Sequence, residues 1–376
     1  MYVTQITSIK DIVADQWNTV AGMDYPFLRH EFLLALEQSG SISEQTGWQS
    51  RHLLIWQDQE LIALMPLYLK GHSRGEYVFD QQWAQAFQQM GQSYYPKWLT
   101  AIPFTPCQGP RIAIKETVNQ IQVMQLALTY IQDTATQPTI SSWHCLFLLP
   151  QQKDQLESLG LAIREDVQFH WFNKEYRTFD DFLQTFSASK RKMIRRERRK
   201  VEEQGICLLQ IAGKDVTEAQ WRDFYQLYTL TYLKKGMQPY LQAAFFPTCA
   251  ALMGEQLLLV LAIKDQQTVG AALSFVGKDT LYGRYWGCYE EFDFLHFEAC
   301  YYQGLEYCIA HGLQQFDSGA QGEHKIARGF EPITTYSAHW LKDEHFSKAI
   351  RHFLDREQKQ VALYKQEAAR YLPFKK

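Results

Sequence analysis

The stretch VLAIKDQQTVGAALSFV, residues 260–276, sets two apolar runs on either side of a short polar break at Asp265-Gln266. Two such runs joined by a turn read as the strands of a β-hairpin. The first half of the chain has a counterpart. LLIWQDQELIALMPLYL, residues 53–69, repeats the pattern with Asp58-Gln59 at the break.

The segments after each hairpin are also alike. A further strand, a long helical pattern and another strand occupy residues 97–104, 118–132 and 142–149 in the first half. In the second half they occupy 281–288, 294–311 and 313–318. The segment FLHFEACYYQGLEYCIAHG, residues 294–312, places Phe294, Phe297, Tyr301, Leu305 and Cys308 at helical spacing, with Asp293 as a cap and Gly312 as a stop. Identities between the halves are few, so the repetition is one of structure. A boundary is expected just after the strand-like VQFHWFN, residues 167–173. This gives domains over 1–175 and 176–376, the second with a basic helix over 187–203. Interleaved strands and helices of this order imply an α/β fold with a mixed sheet in each half.

At 376 residues the chain is long for a single core and suits two domains. Hydrophobic residues make up 46% and charged residues 21%, which excludes the disordered and fibrous classes. The net charge of -3 gives no sign of a nucleic-acid binder, but its distribution is uneven. KRKMIRRERRKVEE, residues 190–203, holds eight Lys or Arg against three Glu. That run reads either as a solvated helix face or as a surface for the phosphates of an RNA or nucleotide donor. Aromatic residues do not interleave it, so backbone contact without base reading is the expectation. Seven cysteines with no CxxC pair support neither a disulfide framework nor a zinc knuckle. The first residues lack an apolar leader, and the aliphatic runs are too short to span a bilayer. A cytoplasmic protein with reduced thiols is the simplest expectation.

Five blocks carry a resemblance to a known family: YYPKWLTAIPFTPCQGPR (94–111), SKRKMIRRERR (189–199), DTLYGRYWGC (279–288), LHFEACYYQGLEY (295–307) and GAQGEHKIARGF (319–330). The order of elements resembles the GNAT acyltransferase fold, and the tandem arrangement resembles Fem-type peptidyltransferases. The closer resemblance is to the FemAB-like predicted N-acyltransferases. It implies two tandem GNAT-like domains, each a mixed β-sheet flanked by helices. It further implies transfer of an acyl or aminoacyl group to an amine, with acyl-CoA or aminoacyl-tRNA as donor substrate and no permanently bound cofactor. One departure stands out. GNAT enzymes that use acetyl-CoA seat its pyrophosphate on a glycine-rich turn at a helix N-terminus. Here the corresponding WGCYEEFDFLHFE, residues 286–298, has no glycine series, and Glu290, Glu291 and Asp293 would repel a diphosphate.

The strand that ends at Phe316 and Asp317 is expected to pair with the end of 281–288; in that fold the two strands then splay apart and the acyl carbonyl sits in the gap. Gly319 and Gly322 then let backbone approach a ligand closely. EHKIARGF reads as a short helix stopped by Gly329, with Lys325 and Arg328 on one face. Glu323 and His324 at its first turn are candidates to take a proton from an attacking amine, against the alternative of an ion-paired brace. Glu298 is a third catalytic candidate. His296 beside it reads better as a satisfied core residue. Arg284, Tyr285 and Trp286 in GRYWGC, with Lys325 and Arg328, are expected at the substrate. So are Lys97 and Arg111, which flank a proline-rich path that is either an acceptor groove or a rigid strap. Lys190, Arg191 and Arg195 are the expected contacts to donor or RNA phosphates. Neither HxxxH nor HExxH occurs, so no metal is expected. The expected partners are a small-molecule or peptide amine acceptor and tRNA. The competing reading is a non-catalytic RNA- or precursor-binding protein on the same fold.

Overall fold

The computed structural model describes residues 1–135, 140–320 and 322–375. Gln321, inside the glycine-rich block, and Lys376, at the end of the expected second domain, lie outside the described residues. Along the chain the strands and helices are β1 (Tyr2–Ile6), α1 (Ala14–Ala21), α2 (His30–Gln38), β2 (Trp48–Ser50), β3 (His52–Gln57), β4 (Glu60–Met65), β5 (Tyr68–Lys70), α3 (Gln81–Gln89), β6 (Lys97–Thr100), β7 (Ala113–Ile114), α4 (Gln120–Thr134), β8 (Ser142–Leu148), α5 (Pro150–Ser158) and β9 (Ala162–Phe172). They continue as α6 (Phe179–Gln184), α7 (Ala188–Glu203), β10 (Cys207–Ala212), α8 (Glu218–Leu233), α9 (Phe245–Met253), β11 (Leu257–Lys264), β12 (Gln267–Val276), β13 (Thr280–Cys288), α10 (Leu295–Phe297), α11 (Gln303–Ala310), β14 (Gln315–Asp317), β15 (Glu331–Leu341) and α12 (Glu344–Arg370).

Both expected hairpins form. β3 pairs antiparallel with β4, and β11 with β12. Their turns show why Asp-Gln stands there. Asp58, Asp265 and Gln266 all have positive φ, which the right-handed twist of a tight hairpin demands and which Asp tolerates. The helices and strands expected after each hairpin also form, with shifted ends.

The chain divides into two compact units, each built from two stretches: Met1–Val167 with Thr334–Tyr364, and Gln168–Ile333 with Lys365–Lys376. Within the first unit, β15 pairs antiparallel with β8, and β8 runs parallel to β6. β6 pairs with β5, and β5 with β2. A second sheet has the order β1, β3, β4, β7. Trp98, Trp143, Met124 and Leu128 pack in the core between the first sheet and α4. Within the second unit, β10, β11, β12 and β13 form an antiparallel run. β14 then adds parallel to β13 and antiparallel to β9. The expected division at 175/176 lies near the crossing in β9. The later crossings, inside β15 and inside α12, return the chain to one unit and then the other. A linear reading for linkers cannot find a crossing that lies within a regular element.

Two local expectations are corrected. β14 pairs with the start of β13, not its end: Thr280, Leu281 and Tyr282 face Gln315, Phe316 and Asp317. And Asp293 does not cap the following helix. Phe294 precedes α10 in the left-handed region with φ 62°, while Gln204 brackets the Asp293 backbone at 3.0 Å on both its N–H and its carbonyl.

Candidate active site

The parallel pairing of β13 with β14 stops at Tyr282 and Asp317, where β14 ends. Two features of β13 mark the place where the pairing stops. Against β12 the register passes from Gly283 opposite Ser274 to Tyr285 opposite Leu273, so Arg284 is the extra residue of a β-bulge. A bulge bends a strand and re-aims its side chains. Gly283 also has no side chain, and the chain after β14 packs against it: a Cβ there would come within 3.2 Å of Phe316 and 3.4 Å of the Ser318 Cα.

The first unit has the corresponding pair of parallel strands, β6 and β8, but the space beyond their pairing is filled. Arg111 Nε donates to the Leu146 carbonyl at 2.7 Å, the Gly109 N–H to Phe147 at 3.1 Å and Gln108 Nε2 to Leu148 at 3.2 Å. Arg111 is fully buried and also touches Tyr25 and the Cys107 carbonyl. Lys97 is equally buried. Its ammonium donates to Glu76 at 2.8 Å, Asp80 at 2.5 Å and Ser73 at 2.8 Å. The structure therefore places both expected substrate residues inside the first unit's core. An ion without solvent must find partners there, and these two have done so.

In the second unit the expected residues fall into three groups. The first is an ionic brace. α7 turns Ile194, Glu197 and Val201 inward, positions that share one helix face. Glu197 accepts from Arg328 Nη2 at 2.7 Å and from the Tyr302 hydroxyl. Arg328 also donates to Tyr302 Oη at 3.1 Å and to the His324 carbonyl at 2.7 Å, and its guanidinium lies 3.4 Å from the centre of the Phe297 ring. Arg198 donates to both oxygens of Glu298, at 3.1 and 3.0 Å, and to Glu306 at 2.6 Å. Gln303 adds a bond to Glu298 at 2.9 Å. Burial pushes the Glu298 carboxyl above its ordinary range, although Arg198 opposes this. Glu298 and Arg328 are thus tied into the packing of α7.

A π-helical segment, Glu298–Tyr302, lies between α10 and α11 and explains how two adjacent tyrosines both face inward. The inserted residue of a π-turn shifts the helix phase, a device common at functional sites. Tyr302 joins the brace, while Tyr301 joins the second group. Tyr301 Oη lies 2.8 Å from His324 Nε2. The rings of Trp286, His296, Phe297 and Tyr301 surround this contact, with His296 5.6 Å from Trp286 and 5.9 Å from His324. Burial, then His324, Lys325 and Arg328, hold His296 down to about 4. His324 is exposed at one edge, yet partial burial with Arg328 and Lys325 lowers it too. Both imidazoles are neutral at pH 7.

The third group lines the strand ends. Lys325 is buried and donates to the Gly319 carbonyl at 2.5 Å. Gly319 has φ 93°, and its N–H donates to Asp317 Oδ1 at 2.9 Å. His170 of β9 stands 3.6 Å from Asp317. Arg284 is half-buried, its guanidinium 5.4 Å from the Tyr285 ring. Tyr285 itself packs on Tyr228 of α8. Glu323 is exposed on the 3₁₀ turn Glu323–Arg328, where Lys325 and Arg328 share a face as expected and Gly329 ends the turn at φ 86°.

Lys190 and Arg191 are half-buried and Arg195 exposed on α7. Arg191 donates to the Phe186 carbonyl at 3.2 Å and Arg195 to Asp180 at 3.0 Å. Glu197, Tyr301, Tyr302 and His170 were not foreseen as members of the site. Only Glu197 left a signal: it is the one acid within the run 190–200, and it stands three after Ile194 and four before Val201. Among the described residues no cluster of His, Cys, Asp or Glu could hold a metal, and no helix is long and apolar enough to cross a membrane.

Two α/β units, each with a hairpin followed by a parallel strand pair, define a tandem GNAT-like fold. The chain belongs to the FemAB-like family, whose model, described as peptidoglycan biosynthesis/recognition, matches residues 8–376. Among solved structures it is similar to FemX, with a TM-score of 0.55 and 12% identity, covering 93% of this chain and 100% of that one. The C-terminal domain of a putative lysylphosphatidylglycerol synthetase from Agrobacterium fabrum gives a TM-score of 0.55 at 10% identity, over 90% of this chain and 94% of that one. L-PGS from Bacillus licheniformis gives 0.51 at 9% identity, over 86% and 96%. No curated protein matches the sequence.

Proposed function

We propose that the second unit is an N-acyltransferase that moves an acyl or aminoacyl group from an activated carrier to an amine. The observation that carries this reading is the end of the β13–β14 pairing at Tyr282 and Asp317, with the bulge at Arg284 next to it and neutral His324 on the turn whose Lys325 reaches the Gly319 carbonyl. Strand N–H groups beyond the last pair are suited to hold the oxyanion that forms when an amine adds to a carbonyl. Holding amine and carbonyl in line supplies much of the remaining rate. His324, steadied by the Tyr301 hydroxyl, takes a proton from the attacking nitrogen and returns it to the leaving group. Glu323 stands at the rim. Arg284 and Lys325 hold anionic parts of donor or acceptor. Membership of the FemAB-like family supports transfer chemistry, and the filled gap in the first unit favours the second as its seat.

The acidic segment after β13 favours an aminoacyl-tRNA donor over acyl-CoA, and the exposed cations of α7 suit its phosphates. The same segment favours the second reading, an RNA- or precursor-binding protein without turnover. Binding and turnover separate them. Charged tRNA should bind more tightly than bare tRNA and should label an amine acceptor, detected by mass spectrometry. Equal binding of both, with no labelled product from aminoacyl-tRNA or acyl-CoA, would favour the binding protein.

A further inference from the structure

We infer that Asp317, with Ser318, is the subsite for the acceptor's amine, which enters as an ammonium ion. This rests on the acyltransfer reading above and names the residue that meets the nucleophile. Asp317 is the last residue of β14, at the last registered pair with β13. It is fully buried, and its two oxygens differ. Oδ1 accepts from the Gly319 N–H at 2.9 Å, whereas Oδ2 has no hydrogen-bond partner among the described residues. The buried hydroxyl of Ser318, the next residue, likewise has none. A native fold rarely leaves a buried carboxylate oxygen and its neighbouring hydroxyl both unsatisfied, because each such group loses its bonds to water without replacing them. Where it does, a ligand that supplies N–H donors is the natural complement.

The residues next to the carboxylate, Ser318 and Gly319, and Gly283 opposite them carry small side chains or none. Gly283 contributes only backbone opposite Ser318, whose Cα a Cβ there would meet at 3.4 Å. The Gly319 carbonyl, turned by φ 93°, is already occupied by Lys325, which leaves Oδ2 and the Ser318 hydroxyl for the ligand. His170 at 3.6 Å is held neutral chiefly by burial, so it does not neutralise the carboxylate.

An ammonium must lose two protons to become an amide nitrogen, and Asp317 and His324 are the acceptors we assign. The first proton passes to Asp317 Oδ2, leaving a neutral amine. Its nitrogen attacks the acyl carbon, the C–N bond forms, and the second proton goes to His324. The bond from the acyl carbon to the carrier's oxygen or sulfur breaks, that atom keeps the electron pair, and it takes the proton from His324. The proton on Asp317 leaves to solvent.

The test has two arms. In the first, ¹⁵N-labelled protein is titrated with n-butylamine, which is protonated at neutral pH, and with n-pentanol as the uncharged control. The Gly319 amide signal, which reports on the Asp317 carboxylate, should shift saturably with butylamine alone. The shift should vanish in Asp317→Asn and weaken in Ser318→Ala. In the second arm, Asp317→Asn, which can still accept from the Gly319 N–H, should lose about 100-fold or more in kcat. Raising the pH, which supplies neutral amine from solution, should recover part of that loss. No saturable shift in the wild type, or a folded Asp317→Asn protein with wild-type turnover, overturns the assignment. If no donor and acceptor yield product in the wild type, the acyltransfer reading fails, and the butylamine titration still decides whether Asp317 binds an amine.

Discussion

His324 takes its protonation state from its neighbours. Its ring lies against Phe297 and Tyr301, and two cations nearby, Arg328 and Lys325, disfavour its protonation. A neutral imidazole is ready to accept a proton. His324→Gln keeps a hydrogen bond to Tyr301 but removes the base, so kcat should fall by about 100-fold with little change in KM or in melting temperature. Glu323→Gln, on an exposed side chain of the same turn, should leave turnover close to wild type in the same assay. A larger loss for Glu323→Gln than for His324→Gln would reverse the two roles. The buried cations of the first unit should behave in the opposite way. Lys97→Met leaves Glu76 and Asp80 buried without their ammonium, which should cost about 3–5 kcal/mol in urea unfolding. KM of the molecules that remain folded should not change; a raised KM would return Lys97 to the substrate site.

At the scale of elements, the helix from α10 through the π segment to α11 organises the site. Its phase shift sends Tyr302 and Glu298 to the α7 brace and Tyr301 to His324. α7 therefore has two faces with different work: Glu197 and Arg198 pack inward, while Lys192, Arg195, Arg196 and Arg199 face solvent. The helix that begins at α10 also carries a pH dependence. An unfolded histidine takes its proton near 6.5, but His296 in the folded chain does so only near 4. Between those values the unfolded state binds more protons. The contribution of His296 is therefore complete above pH 6.5, is lost progressively down to pH 4, and flattens below that. It amounts to about 3 kcal/mol at most. His296→Phe should show a shallower fall in unfolding free energy from pH 6.5 to 4 than the wild type, measured by urea denaturation at each pH. Parallel curves would mean that His296 is not held neutral.

For the whole molecule, polarised charge is the main lever. A chain of net charge -3 concentrates eight cations in residues 190–203, so an RNA partner would be steered to one helix face. Replacing Lys190, Arg191 and Arg195 with Gln should reduce the slope of log affinity for tRNA against log salt by about 2 to 3, close to one for each phosphate that is no longer neutralised. Melting temperature should hardly move, because exposed ion pairs such as Arg195–Asp180 contribute about 0–1 kcal/mol. An unchanged slope would remove α7 from the RNA interface.

The pair of hairpins, the strand–helix–strand order after each and the basic helix were all legible in the sequence, because they depend on local periodicity and on turn residues such as Asp265-Gln266. The sequence also marked residues 316–330 as the place to look, since three glycines, a histidine and four charged residues rarely share so short a span. Which of those polar groups are occupied was settled by the folded chain alone. Glu298 and Arg328 look as reactive in the sequence as His324 does, yet the first two are taken by Arg198 and Glu197 from a helix about 100 residues away. Lys97 and Arg111 look like groove residues, yet burial made each find partners within the first unit. Asp317 reads as the end of a strand, and only the folded chain leaves one of its oxygens unsatisfied. A side chain's availability depends on neighbours that are distant in sequence, and periodicity carries no record of them.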